Sequence, residues 1–258
     1  MKNIQNGLLR VPEITLIFWI IKVLSTTVGE TGADFLAEDL GLGMPLVAGI
    51  MSFIMAVLLI FQFTKFKKYI PWNYWSIVIL MSIIGTLITD ILVDDIGISL
   101  LTLSIVFTIS MIAVFIVWFK EEKTLSIHSI NTGVREIYYW IIILMAFALG
   151  TGVGDLISEY FELGYGIALL LFGGAIALIA FSVFVLKLDR TLGFWLAFIL
   201  TRPLGASLGD FFTQPLENGG IDINIGIVNA VFFTAIVSMV IYLSAKEKIK
   251  EKEHGTNF

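Results

Sequence analysis

Cysteine is absent from the chain. That excludes a disulfide framework and any thiolate metal site. Histidine is limited to His128 and His254, both in polar segments, so no imidazole lies within an apolar stretch to serve as base or ligand. Charge is scarce: 14% of residues are Asp, Glu, Lys or Arg, against about 25% in a soluble domain. Neither an HExxH helix nor a nucleophile elbow is present. The expectation is therefore not an enzyme, with no cofactor, no assigned metal ligands and no nucleic-acid partner. What fills the chain instead is apolar. Hydrophobic residues make up 58% of it and the mean hydropathy is +0.95, so the partner predicted first is the lipid bilayer.

Eight apolar spans approach the ~20 residues that a bilayer crossing requires. They lie at about 13–37, 45–63, 73–93, 97–119, 137–158, 165–186, 191–213 and 223–244. Turn-forming or charged segments separate them: Gly41–Gly43 with Pro45, Lys65–Lys68 with Pro71, Asp94–Asp95 with Gly97, Lys120–Arg135, Gly164–Gly166, Lys187–Arg190 and Pro215–Gly220. The segment Met1–Val11 is mostly polar and the first span is too long for a signal h-region, so that span is expected to remain as an anchor. Residues 246–258 read as a charged tail without structure of its own.

Basic residues collect on one side. Of sixteen Lys and Arg, only Lys22 and Arg202 fall inside spans; the others occupy the ends and alternate loops. The opposite loops hold Glu38, Asp39, Asp94, Asp95, Glu159, Glu162, Glu217 and Asp222 instead. By the positive-inside rule this predicts a multi-pass protein of the cytoplasmic (inner) membrane with both termini cytoplasmic.

One pattern recurs four times, a Trp, a Gly ten residues on and an Asp five further. The copies are Trp19–Gly29–Asp34, Trp75–Gly85–Asp90, Trp140–Gly150–Asp155 and Trp195–Gly205–Asp210. Constant spacing in an otherwise unconstrained apolar chain marks an internal repeat. Each copy holds two spans, over about 13–63, 70–119, 135–186 and 190–244, so every copy enters and leaves on the same side. The predicted fold is all-α, with eight transmembrane helices as four parallel helical-hairpin repeats. They form two halves of two around the linker 120–135, about a pseudo-symmetry axis along the membrane normal.

The first helix of each copy carries a polar stripe at i, i+4 spacing. Read toward the Asp, the stripes are Lys22–Thr26–Glu30–Asp34–Glu38, Ser82–Thr86–Asp90–Asp94, Thr151–Asp155–Glu159, and Arg202–Ala206–Asp210–Gln214. The odd helices should face a common interior, with the even helices outside. Fifteen residues of helix span roughly 22 Å, which places each Asp in the outer third of the bilayer. Asp34, Asp90, Asp155, Asp210, Glu30 and Arg202 are the candidate ion-pathway residues. Lys22, Thr26, Thr86, Thr151, Glu38, Asp94 and Glu159 are secondary ones. For the four Asp, hydrogen bonding to a neighbouring helix is the alternative; for Glu38, Asp94 and Glu159 it is plain solvation. Arg202 lies twelve residues past Arg190, roughly 18 Å of helix, too deep to snorkel. It must find a carboxylate, a ligand or water, and Glu30 is the partner proposed by register. Pro203 beside it favours a kink or break. Lys22, three residues from Trp19, is expected to snorkel. Gly29, Gly85, Gly150, Gly154, Gly205 and Gly209 fit small-xxx-small helix packing. Trp19, Trp75, Trp140 and Trp195 are expected to be interfacial anchors.

The fourfold Trp-containing hairpin resembles the bacterial membrane-protein family defined by a tandem repeat of unknown function, whose members carry four copies of a two-helix repeat with a tryptophan. The resemblance covers about residues 13–244, with Trp19, Trp75, Trp140 and Trp195 as the repeat's tryptophan. It implies the architecture and carries over no catalytic residue. Two functions are open at this point. One is a transporter or channel for a small cation, with a hard ion or proton held by oxygen ligands and an anion held by Arg202 and Lys22 as the weaker variant. The other is a membrane scaffold or accessory protein in which the polar ladder only joins helices.

Overall fold

The structure, a computed structural model, describes residues 9–255; the side chains of Glu159, Asn218 and residues from 250 on, His254 among them, lie outside the described residues. It is helical, with no strand among the described residues. The helices are α1 Leu16–Asp34, α2 Met44–Phe61, α3 Pro71–Asp90, α4 Leu100–Glu122, α5 Gly133–Asp155, α6 Gly164–Phe184, α7 Arg190–Thr213 and α8 Ile225–Gly255. Among the described residues these eight are long and apolar enough to cross a membrane, and the chain is a multi-pass membrane protein.

Local chemistry sets the helix ends. Side-chain oxygens of Thr15, Ser99, Thr132 and Asp189 accept from backbone N–H groups in the first turns of α1, α4, α5 and α7, satisfying donors a helix start leaves open. Prolines occupy the first turns of α2 and α3, where a missing N–H costs nothing. The turn before α2 needs positive φ at Gly41 and Gly43, 66° and 78°, which only glycine adopts freely. Right after the repeat Asp, α1, α3 and α5 widen into π-helical turns, Phe35–Asp39, Ile91–Asp95 and Leu156–Tyr160. They are closed by i to i+5 bonds such as Leu40 N–H to Phe35 O and Ile96 N–H to Ile91 O. The fourth copy differs: α7 stays α-helical to Thr213, and its loop folds back through Ile221 N–H to Phe211 O and Ile223 N–H to Phe212 O.

Two points of local order bear on the sequence reading: Pro203 does not break its helix, and the charged tail is not without structure. Helix α7 runs unbroken through Pro203, whose ring lies against the glycine surface of α5 at Gly150 and Gly154. Tight packing on both sides holds the helix together where a hydrogen bond is missing. The charged tail is helical through Gly255, because α8 is nucleated within the bundle and Lys and Glu extend a helix readily.

The odd helices form a closed inner ring: α1 packs on α3, α3 on α5, α5 on α7 and α7 on α1. The even helices lie outside with broad apolar faces exposed. Their placement is staggered. Each packs chiefly on the odd helix of the next copy, α2 on α3, α4 on α5 and α6 on α7, while α8 closes the circle on α1. The two helices of one hairpin meet mostly at their connecting turn.

The repeat pattern describes this ring. A Cβ built on Gly29 would fall 2.0 Å from Ser82 Oγ, on Gly85 2.7 Å from Phe147 Cβ, on Gly150 2.3 Å from Arg202 Cγ and on Gly205 2.0 Å from Thr26 Oγ1. Each repeat Gly receives the residue eight positions before the next helix's Asp, in one rotational sense round the ring. The tryptophans do likewise at the other end. Trp75 packs on Phe18, Trp140 on Tyr74, Trp195 on Tyr139 and Trp19 on Phe194, with ring centroids 5.6, 5.3, 6.1 and 5.7 Å apart. Every partner is the aromatic residue just before the neighbouring Trp. Interfacial anchoring is thus corrected for Trp75, Trp140 and Trp195, which are 1%, 3% and 4% exposed. Trp19 is half-buried in the same cluster, and Trp72, 47% exposed, is the one whose exposure suits a membrane boundary. Helix–helix contact uses the large aromatic surfaces better than the interface does.

Candidate functional site

The ring's axis carries the polar ladder. At the Asp end, Asp34, Asp90 and Asp155 are half-buried and Asp210 is buried. Asp90 lies within Coulombic reach of Asp34, Asp155, Glu30 and Arg202, and Asp34 of Glu30, Glu38, Asp39 and Arg202. Asp34, Asp90 and Asp155, with Glu38 and Asp39 beside Asp34, thus share the Asp end of the ring. Glu38 and Asp94 are exposed in the π-turns, as solvated charges would be; the Glu159 side chain is outside the described residues.

One turn deeper, the position four before each Asp is Glu30, Thr86, Thr151 and Ala206. The alanine leaves room on α7, and the Arg202 guanidinium, rising from one turn below on that helix, fills it. Its Nη2 donates to Glu30 Oε2 and Thr86 Oγ1 and, at 2.7 Å, to Thr151 Oγ1. Its Nη1 donates to the Thr26 carbonyl at 3.3 Å. Thr86 also donates to Glu30 Oε2 at 3.1 Å. Arg202, Thr86 and Thr151 are fully buried and Glu30 nearly so. The Glu30–Arg202 pairing that the register proposes is present, joined by hydroxyls from the two other helices. Breaking such a pair from one side strands a buried charge, at ~3–5 kcal/mol.

Deeper still, Lys22 overturns the snorkelling expectation. It is 0% exposed, and its Nζ lies 4.1 Å from the centroid of Phe147 and 4.3 Å from that of Phe198. Among the described residues no hydrogen-bond acceptor reaches it. Packed aromatic rings, Phe18, Trp75, Phe194 and Trp195 among them, fill the Trp end, so the four-carbon stem stays inside and Nζ lies against π faces.

Sequence reasoning missed Phe147 and Phe198 as neighbours of Lys22; the signal was that they lie eight and twelve residues before Asp155 and Asp210, on the same face of their helices as the repeat Asp. It also missed a buried network at the Trp end. Glu136, outside the span as read, accepts from Arg10 at 2.6 Å and Gln62 at 2.8 Å, and Asn73 donates to Gln62 at 2.9 Å. Nothing local in the sequence pairs Arg10 with a residue more than a hundred positions away.

No curated protein and no solved structure matches the chain. A family does. The stretches 17–67, 73–124, 138–188 and 193–248 each match the Repeat of Unknown Function (DUF347), most of the chain, and the protein belongs to that family.

Proposed function

We propose that the protein is a carrier for a small hard cation, with an acidic entry at the Asp end and a closure at the Arg202 layer. One observation supports this reading above the others: four helices bring their polar stripes onto one axis, carboxylates at the mouth and a buried ion pair across the middle. Carboxylates concentrate cations, and oxygen ligands suit hard ions or protons. Arg202 and Lys22 further along the axis oppose a continuous file of cations, which favours a carrier over an open channel. The orientation proposed places the basic loops in the cytoplasm, across the cell's inner membrane. Single cysteines at Lys123 and Asp95, both exposed, would label from opposite faces in this cysteine-free chain.

The test is cation flux into proteoliposomes holding purified protein. Replacing Asp34, Asp90, Asp155 and Asp210 by Asn, singly and together, should lower flux, with the quadruple variant down by at least about tenfold. Flux unchanged by all of these overturns the proposal. A scaffold is the second reading, favoured by the tight glycine contacts and the hydrogen-bonded Arg202. It predicts folded wild-type protein that moves no cation.

A further inference from the structure

The layer around Arg202 is a set of buried oxygens converging from three helices. Building on the carrier reading, we propose that Glu30 Oε2, Thr86 Oγ1, Thr151 Oγ1 and the Thr26 carbonyl form a binding site for a monovalent alkali cation, Na⁺ or K⁺, and that Arg202 is its tethered competitor. All four oxygens accept from the guanidinium, so cation and guanidinium cannot occupy them together.

Three features specify the ligand. The first is the donor set: one carboxylate, two hydroxyls and one carbonyl are hard oxygens with no nitrogen or sulfur among them, the ligands of alkali and alkaline-earth ions. The second is charge. The four oxygens carry one formal negative charge, which the guanidinium neutralises. A monovalent ion restores that balance, whereas a divalent ion leaves an extra positive charge buried at membrane depth, where charge is costly. The third is hydroxyl orientation. Thr86 has two acceptors for its one proton, Glu30 Oε2 and the Ser82 carbonyl, both at 3.1 Å, and Thr151 donates to the Phe147 carbonyl at 3.3 Å. With a cation on Glu30, both protons have a backbone carbonyl to turn to, and both hydroxyls then present lone pairs to the axis.

The competitor also has a destination. Asp34 and Asp90 are within Coulombic reach of Arg202 on the side of the mouth. A guanidinium displaced from Glu30 moves toward carboxylates. The helix supplying it offers Ala206 where the others offer Glu or Thr, so the one inner helix without a side-chain oxygen at this position contributes the cation instead.

The test needs no transport. Arg202→Met, purified in detergent, is melted in NaCl, KCl or choline chloride at equal ionic strength. The variant should melt about 3 °C or more higher in NaCl or KCl than in choline chloride, as expected for a ligand well above its Kd. Wild type should respond less, since Arg202 holds the site. Adding Glu30→Gln to Arg202→Met should abolish the shift. A folded Arg202→Met with one melting temperature in all three salts overturns the proposal, as does a shift that survives Glu30→Gln. If Arg202→Met does not fold, Arg202→Lys decides. Its ammonium is compact and cannot fork to all the oxygens, so a smaller shift of the same sign is expected and its absence overturns the site. A salt-specific shift without wild-type flux retires the carrier and keeps the site; flux without the shift retires the site alone.

Discussion

A glycine in a helix usually costs stability relative to alanine, and the repeat glycines reverse that rule. Gly205→Ala would drive a methyl to 2.0 Å from Thr26 Oγ1, with the Thr27 backbone nitrogen 3.0 Å away, and overpacking of this kind costs ~1–3 kcal/mol. A Cβ built on Gly174 of α6 would meet nothing within 4 Å among the described residues, so Gly174→Ala should be neutral or slightly stabilising. Thermal unfolding of the two variants in one detergent checks this, and equal melting temperatures would remove the close-packing explanation. Lys22 gives a second residue-scale prediction. An ammonium buried without an acceptor contributes little to stability that a methionine of similar shape would lose. Lys22→Met should therefore fold and melt at or above wild type, while a snorkelling lysine would make the change merely silent. A clear drop in melting temperature would show that the charge is needed where it lies. Its burial was not legible, because proximity to Trp19 in sequence suggested a short path to water, and only the neighbouring helices show that path to be filled.

Among the elements, the difference between odd and even helices follows from their side chains. Odd helices carry small, hydroxyl and charged residues at four-residue spacing and must turn them from lipid; even helices carry no charge and few polar groups in the middle of their spans and need less shelter. That much is legible in the residue spacing. The role of the tryptophans is not. Their position near the span ends suits a membrane interface equally well, and an aromatic residue before each repeat Trp was the unused clue. Trp75→Ala removes a fully buried ring from the contact between α1 and α3 and should cost ~3–5 kcal/mol. Trp72→Ala, at an exposed position on the same helix, should change the melting temperature little. Comparable losses in both would restore the anchoring role.

For the molecule as a whole, the stagger of outer on inner helices interlocks the chain. Helix α4 belongs to the first half of the sequence and packs on α5 of the second; α8 belongs to the second and packs on α1 of the first. Asn229 on α8 ties that closure, donating to the Thr31 carbonyl at 3.0 Å and accepting from its hydroxyl at 2.8 Å. A chain cut in the linker at Thr124 should therefore assemble only when both pieces are expressed together. The pieces should co-purify, and either alone should aggregate because its missing neighbours leave polar stripes and glycine faces open to lipid. A half that is monodisperse by itself would contradict the interlocked ring.

The amino-acid order alone determined eight spans, four co-oriented copies and the polar face of each odd helix, because spacing along a helix fixes which residues share a side. It also proposed Glu30 for Arg202, since an unpaired charge at that depth has few alternatives. Which helix touches which was decided by the tertiary structure. Helix-period spacing says what a face carries but not what meets it, so the staggered ring, the cyclic Gly and Trp contacts, the caged Lys22 and the three-helix oxygen cluster around Arg202 exist only where four separate stripes are brought to one axis.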